Sequence, residues 1–174
     1  MWQRRARFCP LCGASLAPRE VNGRERLACT SCSFVLYAGP ASAVAGVVLN
    51  RADEVLLVRR GIEPFRGDWA LPAGYQEYDE EPAEALRREV LEEAGIEIDV
   101  GRLVALLHVP DDPRKPANVA IYLARPSTAS DALEAGDDAR DARWFPKDAL
   151  PAGLPFDNNR MIAEAIAVRD HYPI

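Results

Sequence analysis

GYQEYDEEPAEALRREVLEEAGI, residues 74–96, is the stretch on which the reading of this chain turns. Its second half has the marks of a helix. Pro82 suits a first turn, acidic residues crowd the N-terminal end, and Gly95 stands where a C-terminal cap belongs. On a helical wheel Ala83, Leu86, Val90 and Ala94 fall within an arc of about 80 degrees, a stripe able to face a core. Glu89, Glu92 and Glu93 lie beside that stripe.

These carboxylates are three and four residues apart, so they share a face, where like charges repel by ~0.2–0.5 kcal/mol per pair. A solvated face more often alternates acid with base. Here Arg88 reaches Glu84 and Glu92, while Glu89 has alanine four residues before it and Glu93 four residues after. A cation is missing, and three convergent oxygen ligands suit Mg²⁺, a hard ion that keeps waters and also binds substrate phosphates. An acidic amphipathic helix is the plainer explanation of the glutamates taken alone. The wider pattern, Gly74-x5-Glu80-x7-Arg88-Glu89-Val90-x-Glu92-Glu93-x-Gly95-Ile96, resembles the Nudix box at every fixed position.

The chain has 174 residues, 48% of them hydrophobic, and a net charge of −6. That is room for one ordinary domain with a small appendage and enough apolar content for a core. The acidic balance argues against broad phosphate-backbone binding, and Arg4, Arg5 and Arg7 read as a solvated basic tail. Nucleic acid is therefore not expected as a partner. With neither a signal-peptide pattern nor an apolar run of membrane-spanning length, a cytoplasmic protein without membrane association is expected.

All four cysteines fall in the first 32 residues, as Cys9-Pro-Leu-Cys12 and Cys29-Thr-Ser-Cys32, with 16 residues between the inner two. That spacing fits the C-x2-C…C-x2-C zinc signature. Two such turns present four thiolates to a tetrahedral Zn²⁺ and leave no open position, so the metal is expected to be structural. Disulfides are the competing explanation, disfavoured in a reducing compartment. Residues 1–38 thus read as a zinc ribbon, too small to fold without its ion, and residues 39–174 as the Nudix hydrolase domain.

Within the second region, Ala43 to Leu49 is an apolar run long enough for a buried strand, with Glu54 to Arg59 as its hairpin partner across Asn50–Asp53. Gly61 to Asp68 is a loop, Trp69 to Pro72 a short strand, and Glu97 to Val109 further strand. Ala117 to Ala124 and Ala142 to Phe145 are strands, Pro126 to Gly136 reads as mobile, and Pro146 to Leu150 as a helical turn. Met161, Ile162, Ala165, Ile166 and Val168 give the apolar side of a last helix from about Asn158 to Arg169. Strands bracketed by helices make a mixed sheet with helices on its faces. The resemblance implies the α/β fold of the Nudix α/β/α sandwich, over roughly residues 40–170.

Enzymes resembling this chain cleave nucleoside diphosphates linked to another moiety, with Mg²⁺ or Mn²⁺ and an attacking water. Carried over by position, Glu89, Glu92 and Glu93 are implied metal ligands. Either of the last two can serve as base, and the choice stays open. Arg88 would orient them, and Glu80 would hold the loop-to-helix geometry. A further acid from a later loop is implied, with Glu134, Asp137 and Asp138 as candidates and Asp138 taken forward. Arg59, Arg60, Phe65, Trp69 and Gly74 are the candidate substrate contacts, with guanidinium matched to phosphate and aromatics, Phe156 included, able to stack on a base or flavin. His108 reads as a core residue without a role.

A ribbon ahead of the box resembles the ADP-ribose/FAD pyrophosphatases and, less closely, the NADH pyrophosphatases, whose S-Q-P-W-P-F-like segment has no counterpart between Glu97 and Arg125. Pro110 is compatible with the ADP-ribose group. The expected substrate is ADP-ribose or FAD, with NADH or nucleoside triphosphates as alternatives. A binding module without turnover, in which the ribbon grips nucleic acid, is the reading from another class. The resemblance also leaves a homodimer open.

Overall fold

The computed structural model describes residues 5–110, 115–130 and 132–171. The chain divides into two compact units, Met1–Pro40 and Ala41–Ile174.

The first unit is an antiparallel three-stranded sheet of β1 (Leu16–Val21), β2 (Arg24–Cys29) and β3 (Val35–Leu36) in that order. Asn22 (φ 54°) and Gly23 (φ 71°) close the β1–β2 hairpin. Both central residues of a type I′ turn need positive φ, which is why an Asn-Gly pair sits there.

The second unit contains two sheets. One is mixed, with order β7 (Ala73–Tyr75), β4 (Ala41–Val48), β9 (Ala117–Pro126), β8 (Ile98–Val109), and β4 runs parallel to β9. The other is antiparallel, with order β10 (Ala139–Pro146), β5 (Glu54–Arg60), β6 (Trp69–Ala70). Helices α1 (Pro82–Ala94) and α2 (Asn158–His171) complete it. On β4, Val44 and Val48 pack with Leu86, Val90 and Ala94 of α1, whereas Val47 packs with Met161, Ile162 and Ala165 of α2. A strand covered on both faces must be apolar on both, so β4 reads as a continuous run rather than an alternation. The result is the α/β/α sandwich that the resemblance implied.

One pairing differs from expectation. β5 is not the ladder partner of β4; their backbones are joined by the Leu49–Val55 bridge and the Asn50 N–H to Glu54 carbonyl bond (3.1 Å) at the turn. Both edges of β4 are already taken, by β9 along its length and by β7 at Ala43–Ala45, after which the Gly46 N–H donates to the Pro72 carbonyl (3.0 Å). Asn50 then turns the chain out of the sheet, its Oδ1 accepting the N–H groups of Ala52 and Glu54, each at 2.9 Å. β5 is thereby free to start the second sheet. The segment expected to be mobile is tied down at its end, since the Glu134 N–H donates to the Ala94 carbonyl (3.0 Å) and Leu133 packs on the core.

Candidate active site

Helix α1 is built as its sequence dictates. Pro82 occupies the first turn, the Glu81 N–H donates to Glu84 Oε2 (3.0 Å), and Gly95, at φ 71°, donates its N–H to the Leu91 carbonyl (3.0 Å). The helix buries Ala85, Leu86, Glu89, Val90, Glu93 and Ala94. Glu89 and Glu93 are thus part of the inward face rather than beside it, and Ala83 is only half-buried.

Arg88 gathers the carboxylates around it. Its Nε and Nη2 donate to the two oxygens of Glu80 (3.1 and 2.7 Å), its Nη1 to Glu89 Oε1 (2.8 Å) and Glu92 Oε2 (3.0 Å), and its Nη2 also to the Tyr75 carbonyl (3.1 Å). The cation that helical spacing left missing for Glu89 is therefore its sequence neighbour. Charge-assisted bonds of this kind hold Glu80 below the ordinary carboxylate range, with the Arg88 contact as the chief cause. Glu80 also accepts the Glu77 N–H (2.8 Å), which ties the loop to the helix.

Glu93 has a different environment. Its Oε2 accepts the Ala73 N–H (3.1 Å), and among the described residues it has no ion-pair partner. Burial pushes its carboxyl up to about 8, and burial likewise raises that of Glu89. Glu89 is packed over Gly74 so closely that a Cβ built there would lie 2.0 Å from its carboxyl carbon. The glycine that opens the box is required for space, since its φ is unremarkable.

Glu89 and Glu93 line a cavity of about 280 Å³ whose wall also includes Arg60, Gly74, Tyr75, Asp138 and Phe156. The Gly61 N–H donates to the Asp138 carbonyl (2.6 Å), and a Cβ on Gly61 would stand 2.5 Å from that oxygen. Asp138 is so brought to the box from a later loop. Its field and that of Asp137 raise Glu93 and Glu89 respectively, as lesser contributions. Glu134 is placed instead against Gly95 at the helix end.

Several sequence candidates stand elsewhere. Glu92 is exposed and does not line the cavity, and among the described residues the four cysteines, not the carboxylates, form the cluster spaced to hold a metal ion. Glu89 and Glu92 converge on Arg88 together with Glu80, while Glu93 is held apart on the Ala73 N–H. Arg59 is exposed and donates from Nε to the Gly67 carbonyl (2.9 Å), which turns it to the loop. Arg60 donates to the Pro64 carbonyl (2.8 Å) but remains on the cavity wall, 5.4 Å from the centre of the Phe156 ring. Phe65 lies behind that ring, edge-on at 4.9 Å, and Trp69 packs on Phe145 at 4.9 Å with Arg143 over it, so neither lines the cavity. His108 is exposed on β8, where its neighbours alternate out of the core, and its Nδ1 is 2.9 Å from Asn118 Oδ1. Arg4 lies outside the described residues.

Two wall residues had no motif to announce them. Tyr75 carries the Lys115 ammonium 3.9 Å from its ring centre. Asn158, at the start of α2, is buried and accepts the Leu71 N–H at 2.8 Å. An asparagine opening an apolar helix is a legible cap signal, but its reach to residue 71 is not.

In the first unit the Sγ atoms of Cys9, Cys12, Cys29 and Cys32 lie within 4.8 Å of one another as free thiols, with Cys12–Cys29 at 3.5 Å. The N–H groups of Ser31 and Cys32 both donate to Cys29 Sγ (3.3 Å), and the Ser31 contact is the chief cause that lowers that thiol to about 6. Sulfurs this close without a bond suit a shared metal.

A family model described as the NUDIX domain matches residues 39–165. The chain belongs to the Nudix family. The zinc-ribbon model described as Nudix N-terminal matches residues 7–38. An ADP-ribose pyrophosphatase of Methanocaldococcus jannaschii is 36% identical over 132 residues, 75% of this chain and 76% of that one. The NAD-capped RNA hydrolase NudC of Pseudomonas fluorescens is 29% identical over 93% of this chain, which spans 55% of NudC. A NUDIX hydrolase crystal structure from Nitrosomonas europaea superposes with a TM-score of 0.81 at 26% identity, covering 97% of this chain and 94% of that one. No helix among the described residues is long and apolar enough to cross a membrane.

Proposed function

We propose that this Nudix hydrolase is a divalent-metal-dependent pyrophosphohydrolase of ADP-ribose, with FAD as a second substrate, releasing AMP with ribose 5-phosphate or FMN. The observation that carries the reading is the cavity itself, in which two buried carboxylates, Glu89 and Glu93, share a wall with the Arg60 guanidinium and the Phe156 ring. The 36% identity to an ADP-ribose pyrophosphatase across three quarters of both chains supports the substrate class.

The donor set fits Mg²⁺ or Mn²⁺. Glu89 and Glu93 offer hard oxygens, and Glu93 is a buried carboxylate without an ion pair, which an added cation would stabilise in its charged form. Asp138 would be the acid from the later loop, and Glu92 an outer ligand one turn from Glu89. A bound divalent ion supplies neutralisation of the pyrophosphate oxygens and a lower pKa for the attacking water.

The chain's own residues do the rest. Arg88 fixes Glu89, Glu92 and the Glu80 loop in one array, so that little reorganisation is left to the reaction. Arg60, on the wall of the same cavity, would take the phosphate oxygens. Glu93, on the cavity wall with the Ala73 N–H on one oxygen and no ion pair, is the glutamate assigned to accept the proton of the attacking water. Water attacks one phosphorus and the other phosphate leaves with its nucleoside or sugar. Phe156, backed by Phe65, offers a ring face for adenine or flavin. In the ribbon, the four thiols would hold a structural Zn²⁺.

The match to NudC extends over both units, which favours dinucleotide hydrolysis such as that of NADH as the second reading. A panel of ADP-ribose, FAD, NADH and deoxynucleoside triphosphates, each with Mg²⁺ or Mn²⁺, compares kcat/KM directly. The highest value for ADP-ribose or FAD, with AMP released, is the expected result. A preference for NADH or for triphosphates overturns the substrate assignment, and no hydrolysis of any of them favours a sensor.

A further inference from the structure

The charge of the chain is divided between its units. Residues 1–40 contain six arginines against two glutamates, whereas the rest of the chain holds fifteen basic against twenty-five acidic residues. The ribbon sheet divides it again. Alternation along β1 and β2 places Arg19, Arg24 and Arg26 on one face and Glu20 and Glu25 on the other, as the pairs Arg19–Arg26, Val21–Arg24 and Glu20–Glu25 require.

Arg19 and Arg26 stand directly opposite one another, a like-charge cross-strand pair that costs stability unless something anionic covers it. No acid among the described residues forms an ion pair with Arg19, Arg24 or Arg26, and the buried Nε of Arg26 has no hydrogen-bond partner. Beside them Tyr37, 59% exposed, follows β3, and the Arg26 guanidinium lies 4.6 Å from its ring centre. Clustered guanidiniums next to an open aromatic face are what a strand of phosphates carrying bases requires.

We propose that the Arg19–Arg24–Arg26–Tyr37 face of the ribbon binds single-stranded nucleic acid, the arginines taking successive phosphates and Tyr37 stacking a base. The exposed ring decides for a nucleic acid strand over an anionic lipid surface, because only the former has a π-face to offer it. The face lies wholly within the first unit, so the hydrolytic cavity is not needed for it. The net charge of −6, which argues against phosphate binding by the chain as a whole, conceals it.

The test uses the full zinc-loaded chain and a fluorescein-labelled oligouridine or oligothymidine dodecamer, read by fluorescence anisotropy over a KCl series. Binding in the micromolar range is expected, with log K falling against log salt at a slope of about −2 for three phosphate contacts on a single strand. The double variant Arg19→Ala, Arg24→Ala should abolish most of it and Tyr37→Ala weaken it by at least about fivefold, with zinc content and ADP-ribose hydrolysis unchanged. Glu20→Gln, on the other face, should not weaken it. The proposal is overturned by absence of binding at low salt, by binding that survives the arginine double variant, by displacement with excess AMP, or by tighter association with phosphatidylserine vesicles than with the oligonucleotides.

Discussion

Gly74 and Glu89 show how much a single position can decide. With a Cβ only 2.0 Å from the glutamate's carboxyl carbon, Gly74→Ala cannot be accommodated without moving that carboxylate. The strand itself loses little, because the φ of Gly74 is ordinary. We expect Gly74→Ala to lose at least about tenfold in kcat while remaining folded by circular dichroism; wild-type turnover would show that the Glu89 placement does not matter. Glu93 gives a second test at this scale. Glu93→Gln keeps the shape and the Ala73 contact but removes the ionisable group, and kcat should fall by about 10²–10⁴-fold. Its titration also bears on stability. The folded carboxyl titrates near 8, above its ordinary value of 4.5, so the metal-free native state holds a proton that the unfolded chain has released. Stability of the metal-free protein must therefore fall as pH rises from about 4.5 to about 8, and level off above. Melting temperatures between pH 5.5 and 8.5 in chelator should show this decline in the wild type and a shallower one in Glu93→Gln. Parallel profiles would refute the assignment.

At the scale of elements, the cavity depends on a bond that links distant parts of the unit. Asn158, 4% exposed at the head of α2, accepts the Leu71 N–H and so fixes the segment between β6 and β7 that leads into Gly74. Asn158→Ala leaves that buried N–H unpaired at a cost of about 1–3 kcal/mol. The melting temperature should drop by several degrees, with KM raised as the wall loosens; an unchanged melting curve would mean that water replaces the amide. Nothing in the sequence near Asn158 points to Leu71, because a contact 87 positions away has no local pattern. Helix α1 was legible for the opposite reason. Its proline, its apolar stripe and its Gly95 are local signals, and the structure uses each of them. The direction of its glutamates was less so, since Glu89 and Glu93 are drawn inward by Gly74 and by the Ala73 N–H, both supplied by β7. The supposed hairpin of β4 and β5 failed on the same ground. Two apolar runs around a turn specify neighbours in sequence, but whether they pair depends on which edges β9 and β7 have already occupied. Arg59 and Arg60 looked equivalent in sequence, and only the course of the 61–68 loop separates the one on the cavity wall from the one turned away.

For the molecule as a whole, the decisive fact is that its two units are stabilised by different means. The second has two apolar clusters, one on each side of β4, and so has an ordinary core. The first buries little more than Cys9, Ala28 and Cys29, far too little apolar area to offset the entropy of ordering some forty residues. What it has instead is four sulfurs within 4.8 Å, one of them with two N–H donors and a thiol lowered to about 6, an arrangement suited to thiolates around a cation. Metal binding and folding of this unit should therefore be one event. Purified chain should contain about one Zn²⁺, and a strong chelator should strip amide-exchange protection from Leu16–Val21 and Arg24–Cys29 while leaving Ala41–Val48 and Ala117–Pro126 protected. Cys29→Ser should reproduce the chelated pattern without chelator. Loss of protection in both units together would mean that the ribbon is integral to the second core, and retention in both, with no zinc and the four cysteines in disulfides, would show that covalent links rather than a metal hold the ribbon.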